Sequence, residues 1–219
     1  LMIDKISIIV RHVNGTRQKL LLRCLESIKN NTYPHKEVIL VYQGTNINYI
    51  DELNHILQQS GLDYILVHND TNIDDRANNL NLGVYKATGR YLCFLDDDDY
   101  WDTTHLAKLQ QELTSTDSCW GFSQVGIILE DDKNKIIERH DWAHEQFSFV
   151  KLIFESNYIP LHTVLIDTNK LPQGDKNFLH IDTSFTKVED YYMWIKLAKY
   201  FKPCILKEIT AFYSIRYDG

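Results

Sequence analysis

The stretch from Gly89 to Asp99, GRYLCFLDDDD, narrows what this chain can fold into more than any other. It opens on a turn residue and runs through an apolar segment, Tyr91 to Leu95, with the length of one buried strand. It ends in four consecutive carboxylates, Asp96 to Asp99. A buried strand that delivers acidic groups at its carboxyl end places them in the crevice where open α/β sheets bind ligands. Four adjacent like charges repel one another, so a cation is expected among them. A hard divalent metal, which bridges carboxylates to substrate phosphates, is the natural candidate. The plainer reading is that Asp96 to Asp99 cap a helix starting near Trp101, since Asp suits helix N-termini. One or two carboxylates would suffice for that.

The rest of the chain supplies the sheet that such a strand needs. Lys5 to Val13 is an apolar, β-branched run and reads as a buried strand. Thr16, in the turn Asn14-Gly15-Thr16, is placed to cap a helix through Lys29, in which Leu20, Leu21, Cys24, Leu25 and Ile28 recur at helical spacing. Glu37 to Tyr42 is a second strand, with Gln43 to Asn46 as its loop. Tyr49 to Gln59 is an amphipathic helix closed by Gly61, and Tyr64 to Val67 a third strand. Asp74 to Lys86 is a further helix, with Ala77, Leu80 and Val84 facing inward. Strand and helix thus alternate, which predicts a mostly parallel sheet covered on both faces.

After Leu113 the pattern changes. Trp120 to Leu129 and Lys135 to Arg139 predict an antiparallel hairpin about the turn Asp131 to Asn134. A short helix (Phe147 to Phe154), a strand (Thr163 to Asp167), a helix (Val188 to Phe201) and two short strands (Cys204 to Leu206, Ile209 to Ile215) complete the pattern. The second half reads as an α+β completion of one domain spanning 1–219, without a linker.

A length of 219 residues and a 44% apolar content suit one domain with a sizeable core. The net charge of −7 argues against a nucleic-acid partner, which normally meets a basic face. It leaves room for an anionic substrate, because a metal inverts the local field. Cys24, Cys93, Cys119 and Cys204 are scattered singly, the usage of a reduced, cytosolic protein. No apolar run reaches transmembrane length and no signal-peptide core is evident; Leu1-Met2 reads as an extraneous lead before Ile3.

The segments ISIIVRHVNG, LLRCLESI and EVILV, then NDTNIDDRANNLNLGVYKATGRYLCFLDDDD, then Val188-Glu189-Asp190 opening a late helix, together resemble family-two glycosyltransferases of the GT-A fold. The resemblance covers most of the chain and rests on the order and spacing of these pieces. It implies a Rossmann-like, mostly parallel α/β sheet flanked by helices with a smaller antiparallel acceptor-side portion, 1–99 binding the nucleotide-sugar and 100–219 the acceptor. It implies transfer of a sugar from a nucleotide-diphosphate donor, with inversion, to a glycan or lipid-linked glycan acceptor in surface polysaccharide synthesis, in the cytoplasm or at the inner face of the membrane. UDP- or dTDP-sugars are the expected donors and Mn²⁺ or Mg²⁺ the expected cofactor.

By the same resemblance Asp96, Asp97 and Asp98 fall on the Asp-x-Asp motif. Asp98 is the direct metal ligand, while Asp96 faces the ribose or supports the metal, with Asp97 beside it at the donor. A cation here neutralises the charge that develops on the diphosphate leaving group. Asp190 falls on the general-base position, where a carboxylate accepts the proton of an attacking hydroxyl; Glu189 stands on the acceptor side. The residues alone equally allow Glu189 and Asp190 to be first-turn acids stabilising a helix N-terminus. Arg76 matches the arginine that contacts the nucleotide, against the alternative of a solvated helix arginine.

The departures from the family are specific. Arg11 and His12 stand where a small residue is usual, which puts Arg11 at the donor. Gln43 stands where an Asp reads the nucleobase; it can pair with a base edge but carries no charge. Tyr213, Ser214 and Arg216 stand where some relatives supply a further metal ligand. His162 lies before a strand that should border the acceptor, and Trp101, Trp142 and Trp194 could stack on sugars, although such aromatics are more often core. His140 and His144 have helical i, i+4 spacing without the zincin Glu and read as surface histidines. Asp70 to Asp74 superficially resembles a calcium loop but lacks the glycine and further oxygen ligands. A non-catalytic nucleotide-sugar-binding module is the alternative function. A sugar nucleotidyltransferase would need a glycine-rich basic loop after the first strand, and Arg11 to Gly15 do not supply it.

Overall fold

The structure, a computed structural model, describes residues 3–13, 15–131, 135–144, 146–185 and 187–216. Leu1, Met2 and Asn14 of the readings above lie outside these, as do Asp132 to Asn134 of the expected hairpin turn.

The unbroken β-branched runs form β1 (Ile6–His12), β2 (Lys36–Gln43), β3 (Asp63–Asn69) and β4 (Tyr91–Asp96). They pair in parallel in the order β3-β2-β1-β4. Parallel neighbours need crossovers, and α1 (Gln18–Lys29), α2 (Asn48–Ser60) and α3 (Arg76–Lys86) provide them. Successive strand residues point to opposite faces, so β1 divides its side chains between two cores. Ile8 and Val10 pack with Leu21, Cys24 and Ile28 on one face. Ile9 packs with Leu80 and Val84 of α3 on the other. That second contact is close: a Cβ on Gly83 would meet Ile9 Cγ2 at 2.3 Å, so α3 sits where only glycine lets it.

The turn feeding β4 is also pinned. Ser7 Oγ donates to the buried Glu37 Oε1 at 2.6 Å and accepts from Gly89 N at 2.8 Å. A Cβ on Gly89 would lie 2.6 Å from the Lys5 carbonyl oxygen, so the strand that carries the carboxylates is held at its entry by a glycine-only approach.

Beyond β4 the sheet is mixed. β6 (Trp120–Glu130) and β8 (Val164–Asp167) are antiparallel, β8 lying against β4, and β7 (Ile136–Trp142) forms the expected hairpin with β6. β9 (Cys204–Arg216) runs parallel to β6 and bears the two-residue β5 (Tyr100–Trp101) on its far side. α4 (His105–Ser115), α5 (Phe149–Phe154) and α6 (Glu189–Tyr200) cover this half. The expected fold class is therefore what the chain adopts, with two refinements. The second half of the chain contains one long parallel ladder, and the two expected terminal strands are a single strand. The register jumps from Ser123↔Leu206 to Gln124↔Ile209 and again to Val125↔Ala211, so an irregularity absorbs Lys207, Glu208 and Thr210 before regular pairing resumes.

Two local expectations are corrected. A 3₁₀ turn, Gly15–Arg17, precedes α1, whose N-cap is Arg17 without a side-chain bond, so Thr16 is not the cap. The helix after the carboxylates begins at His105, not near Trp101, and Asp102 serves its start: Oδ1 accepts from Thr104 N at 2.9 Å and Thr104 Oγ1 at 2.6 Å. Asp96 to Asp99 are thereby freed from capping. His140 is exposed on strand β7, in keeping with its reading as a surface histidine. Among the described residues no helix is long and apolar enough to cross a membrane.

Candidate functional site

Parallel register sets the first contact. Arg11, near the end of β1, is paired with Asp96 at the end of β4. The guanidinium meets the carboxylate as a fork, Nε–Oδ1 at 2.6 Å and Nη2–Oδ2 at 2.8 Å, and its third nitrogen, Nη1, reaches Glu189 Oε1 at 2.5 Å. Burial opposes the arginine's charge, but Asp96 and Glu189 outweigh it and hold its pKa raised. Reciprocally, burial works against ionised Asp96, and Arg11 outweighs it and holds the carboxyl below the usual range. Arg11 is thus a bridge from the acidic turn to the start of α6, while also lining the cavity described below.

The other carboxylates follow the same rule of one local partner set each. Asp97 is buried, with Oδ2 2.6 Å from His12 Nδ1 and Oδ1 2.7 Å from Arg17 Nη2; His12 Nε2 lies 3.0 Å from the Tyr49 hydroxyl. Asp98 contacts Arg17 and, at 3.4 Å, Arg216, both through Oδ2. Its backbone carbonyl accepts from Arg23 Nη2 at 2.5 Å. Asp99 is buried behind the turn, 3.0 Å from His162 Nδ1, and accepts from Ser214 N at 2.9 Å. The cation expected among the four carboxylates is therefore supplied in large part by the chain's own arginines, Arg11 at Asp96 and Arg17 at Asp97 and Asp98.

Asp98 is the exception to this balance. Burial first, and then its neighbours Asp99, Asp96 and Asp97, push its carboxyl up to about 6, with Arg17 offsetting only part. Among the described residues no three His, Cys, Asp or Glu side chains converge as a metal cage. A divalent ion carried by a diphosphate needs only one or two carboxylates. Asp98, with its excess negative charge and its place on the cavity wall, fits that role. Asp96, both of whose oxygens lie in the Arg11 fork, does not present a free carboxylate.

The cavity has a volume of about 420 Å³ and is lined by Arg11, Arg17 and Asp96 to Asp98, together with Gln43, Asn72, Asp74, Arg76 and Asn79. Its size falls within the usual range for small-molecule sites. Arg76 is about half exposed and pairs only loosely with Asp74, at 3.2 Å. Gln43 is buried and its polar atoms are already used: Nε2 donates to Ile73 O at 2.8 Å, and Oε1 accepts from Asn79 Nδ2 at 2.6 Å and Asp75 N at 3.3 Å. It shapes the loop before α3 rather than offering a free amide.

Asp190 and Glu189 open α6, so both sit at the positive end of the helix dipole. Asp190 Oδ1 accepts from Tyr191 N at 2.7 Å and Oδ2 from Asn157 Nδ2 at 3.0 Å. Burial, then Glu189, nonetheless raises the Asp190 carboxyl above its ordinary value. Val188 just before it adopts φ 59°, a left-handed conformation that is strained for a β-branched residue and recurs at functional sites.

Two expected acceptor-side residues present no surface. Trp194 is fully buried, stacked on Trp120 at 5.9 Å with Nε1 donating to Ile159 O at 3.0 Å, so it is core. His162 is 2% exposed and faces Asp99, where its ring stacks on Tyr213; burial opposes its charge and Asp99 outweighs that, raising its pKa. Trp101 is likewise buried and donates to His162 O at 2.7 Å, whereas Trp142 is 36% exposed. Sequence reasoning passed over Arg17, Arg23 and Asn157, and named His12 only as a departure beside Arg11, without a role at the site. Only His12, next to Arg11 on the same strand, carried a sequence signal.

The fold has solved counterparts, each spanned only in part. TarS of S. aureus, solved in complex with UDP-GlcNAc, superposes with a TM-score of 0.70 at 15% identity, over 98% of this chain and 60% of that one. The mannosyltransferase PcManGT of Pyrobaculum calidifontis, solved in complex with GDP-Man and Mn²⁺, gives 0.68 at 15% identity, over 98% and 58%. These likenesses establish the GT-A fold. An uncharacterised glycosyltransferase of Acanthamoeba polyphaga mimivirus is 28% identical over 174 residues, which is 71% of this chain and 66% of that protein. The chain therefore spans just under two-thirds of that relative's length. Residues 7–168 match the glycosyl transferase family 2 model, nearly three-quarters of the sequence, and the chain belongs to that family.

Proposed function

We propose that the chain transfers a sugar from a nucleoside-diphosphate donor to a hydroxyl of a glycan or glycoconjugate, with inversion. The observation that carries this is the single cavity joining Asp96, Asp97 and Asp98 to Arg76 across the carboxyl ends of β1, β2 and β4. Family membership supports the reaction class, and the solved counterparts in complex with UDP-GlcNAc and with GDP-Man and Mn²⁺ support a nucleotide-sugar donor. Residues 1–99 serve the donor and 100–219 chiefly the acceptor, although Tyr213 reaches the donor cavity.

In this reading Arg76 pairs with the nucleotide as a charge-assisted donor. Asp96, held by Arg11, orients the ribose, and Asp98 is the residue that would hold Mn²⁺ or Mg²⁺. When bound, that ion would neutralise charge on the diphosphate. Asp190 accepts the proton of the acceptor hydroxyl as its oxygen attacks the anomeric carbon, and the bond from that carbon to the diphosphate oxygen breaks on the opposite face. A raised carboxyl suits this task, because a base whose pKa nears the working pH transfers protons best. Glu189, bound to Arg11, ties the base-bearing helix to the donor carboxylates, so that both halves keep one geometry. The donor base is uracil or thymine.

The test is calorimetry of UDP, dTDP and GDP with Mn²⁺ and with chelator, followed by transfer assays on glycan acceptors. Binding of no nucleotide under either condition would overturn the proposal.

A further inference from the structure

Arg17 stands where the sequence led one to expect a metal. It closes the 3₁₀ turn after β1, and its Nη2 contacts both Asp97 Oδ1, at 2.7 Å, and Asp98 Oδ2. Its Nε is buried without a hydrogen-bond partner. An arginine that leaves a buried donor unbonded is held in place by something stronger, here two carboxylates at once. The side chain keeps 28% of its surface and borders the same cavity as Asp98 and Arg76. A guanidinium in that position matches carboxylate and phosphate oxygens equally well.

We propose that Arg17 is a positioning residue with two linked roles: it is the built-in counter-cation of Asp98, which a divalent ion must displace, and it is a ligand for the donor diphosphate when no ion is present. The inference rests on the donor-site reading and adds an order of events to it. Without metal, Arg17 keeps Asp97 and Asp98 from repelling an incoming diphosphate and offers it N–H donors. With a divalent ion bound, Asp98 would hold it, and the Arg17 guanidinium would be free of Asp98 to meet the phosphates. Arg11 cannot substitute, because its three nitrogens are committed to Asp96 and Glu189. Among the described residues, Arg216 makes the longer of the two arginine contacts to Asp98 Oδ2, at 3.4 Å, and none to Asp97.

Opposite signs on two probes test this. Arg17→Gln should bind Mn²⁺ alone more tightly than wild type, on the order of tenfold, by paramagnetic resonance titration, because the competing charge-assisted contact is gone. The same variant should bind UDP and GDP more weakly in chelator, again on the order of tenfold by calorimetry. Arg17→Lys should recover part of the nucleotide affinity, since it keeps the charge but loses the fork. Far-ultraviolet circular dichroism and thermal melts establish that each variant is folded. Weakening of both probes would mean that Arg17 only supports the loop, and no change in either would make it a bystander; each result overturns the proposal. Wild type that binds no nucleotide at all would overturn the donor-site reading instead, and the Mn²⁺ titration would still decide whether Arg17 competes for Asp98.

Discussion

Asp190→Asn separates a proton acceptor from a helix-terminus acid, and the structure sets the size of each effect. Asn keeps the volume of the side chain, and its Oδ1 can still accept the 2.7 Å bond from Tyr191 N. Its new Nδ2 faces the amide of Asn157, which now donates to Oδ2 at 3.0 Å. Asn157 can turn its oxygen to meet it only by giving up the 3.3 Å bond that its Oδ1 accepts from Ile159 N. The structural loss is therefore about one neutral hydrogen bond, roughly 1 kcal/mol. Working against that loss is the carboxylate itself, which burial and then Glu189 disfavour in its charged form. A carboxyl whose folded pKa is raised stabilises the fold below its unfolded pKa, and that contribution disappears as pH rises through the folded pKa. At neutral pH the charged group is thus a net burden, and Asn relieves it. Stability at pH 7 should stay within about 1 kcal/mol of wild type. The advantage of the Asn variant over wild type should shrink as pH falls and wild-type Asp190 takes up its proton. Transfer, by contrast, should fall by roughly 10² to 10⁴-fold, or about 2.7 to 5.4 kcal/mol of barrier. Donor affinity should hold within a few-fold, because the donor site proposed above is formed by Arg76 and the Asp turn and does not include Asp190. The assays are urea melts across pH, calorimetry with the donor, and single-turnover transfer. Near-normal transfer by the Asn variant, or a stability loss at pH 7 with turnover preserved, would refute the base assignment and return Asp190 to the role of a dipole-stabilising acid.

Four further outcomes follow from the same geometry. The acid limb of kcat/KM should lie above the ordinary Asp range because the Asp190 carboxyl is raised, with activity lost as pH falls through it; a flat profile down to pH 4 would contradict this. Asp98→Asn should abolish the Mn²⁺ dependence of nucleoside-diphosphate binding and leave the melting temperature unchanged or higher, since one member of a crowded carboxylate group is removed; calorimetry with and without chelator decides. Trp194→Ala should cost about 3 to 5 kcal/mol in a denaturant melt, whereas Trp194→Phe should remain folded with nearly normal acceptor KM; a selective rise in acceptor KM would restore Trp194 as a sugar platform. UDP or dTDP should compete with the donor better than GDP, and a preference for GDP in the competition assay would overturn the base assignment.

The sequence by itself determined the order of strands and helices, because hydrophobic periodicity and turn residues are local. The β-branched runs at Ile6–His12 and Lys36–Gln43, and the strand ending in carboxylates, needed no partner to be recognised. The placement of Asp96 to Asp98 at a ligand crevice was legible for the same reason, since a parallel strand points its carboxyl end there. What neutralises those carboxylates was not legible. Arg11 meets Asp96 across 85 residues of sequence, Glu189 meets Arg11 across 178, and Arg17 reaches Asp97 and Asp98 only because the chain turns tightly after β1. Electrostatic partners are set by register and packing, neither of which leaves a spacing in the sequence. Burial was decided the same way. Trp194 lies on a helix whose first turn holds the proposed base, yet helix rotation sends it into the core against Trp120, and the Asp99 contact draws His162 beneath the turn instead of toward an acceptor. Gln43 likewise reads as a base contact from its position at the end of β2, until the loop at Ile73 and the side chain of Asn79 take up its hydrogen bonds. Local chemistry named the elements and the acidic turn; long-range packing chose which charges they face, because a buried charge takes whichever partner the fold brings within hydrogen-bond reach.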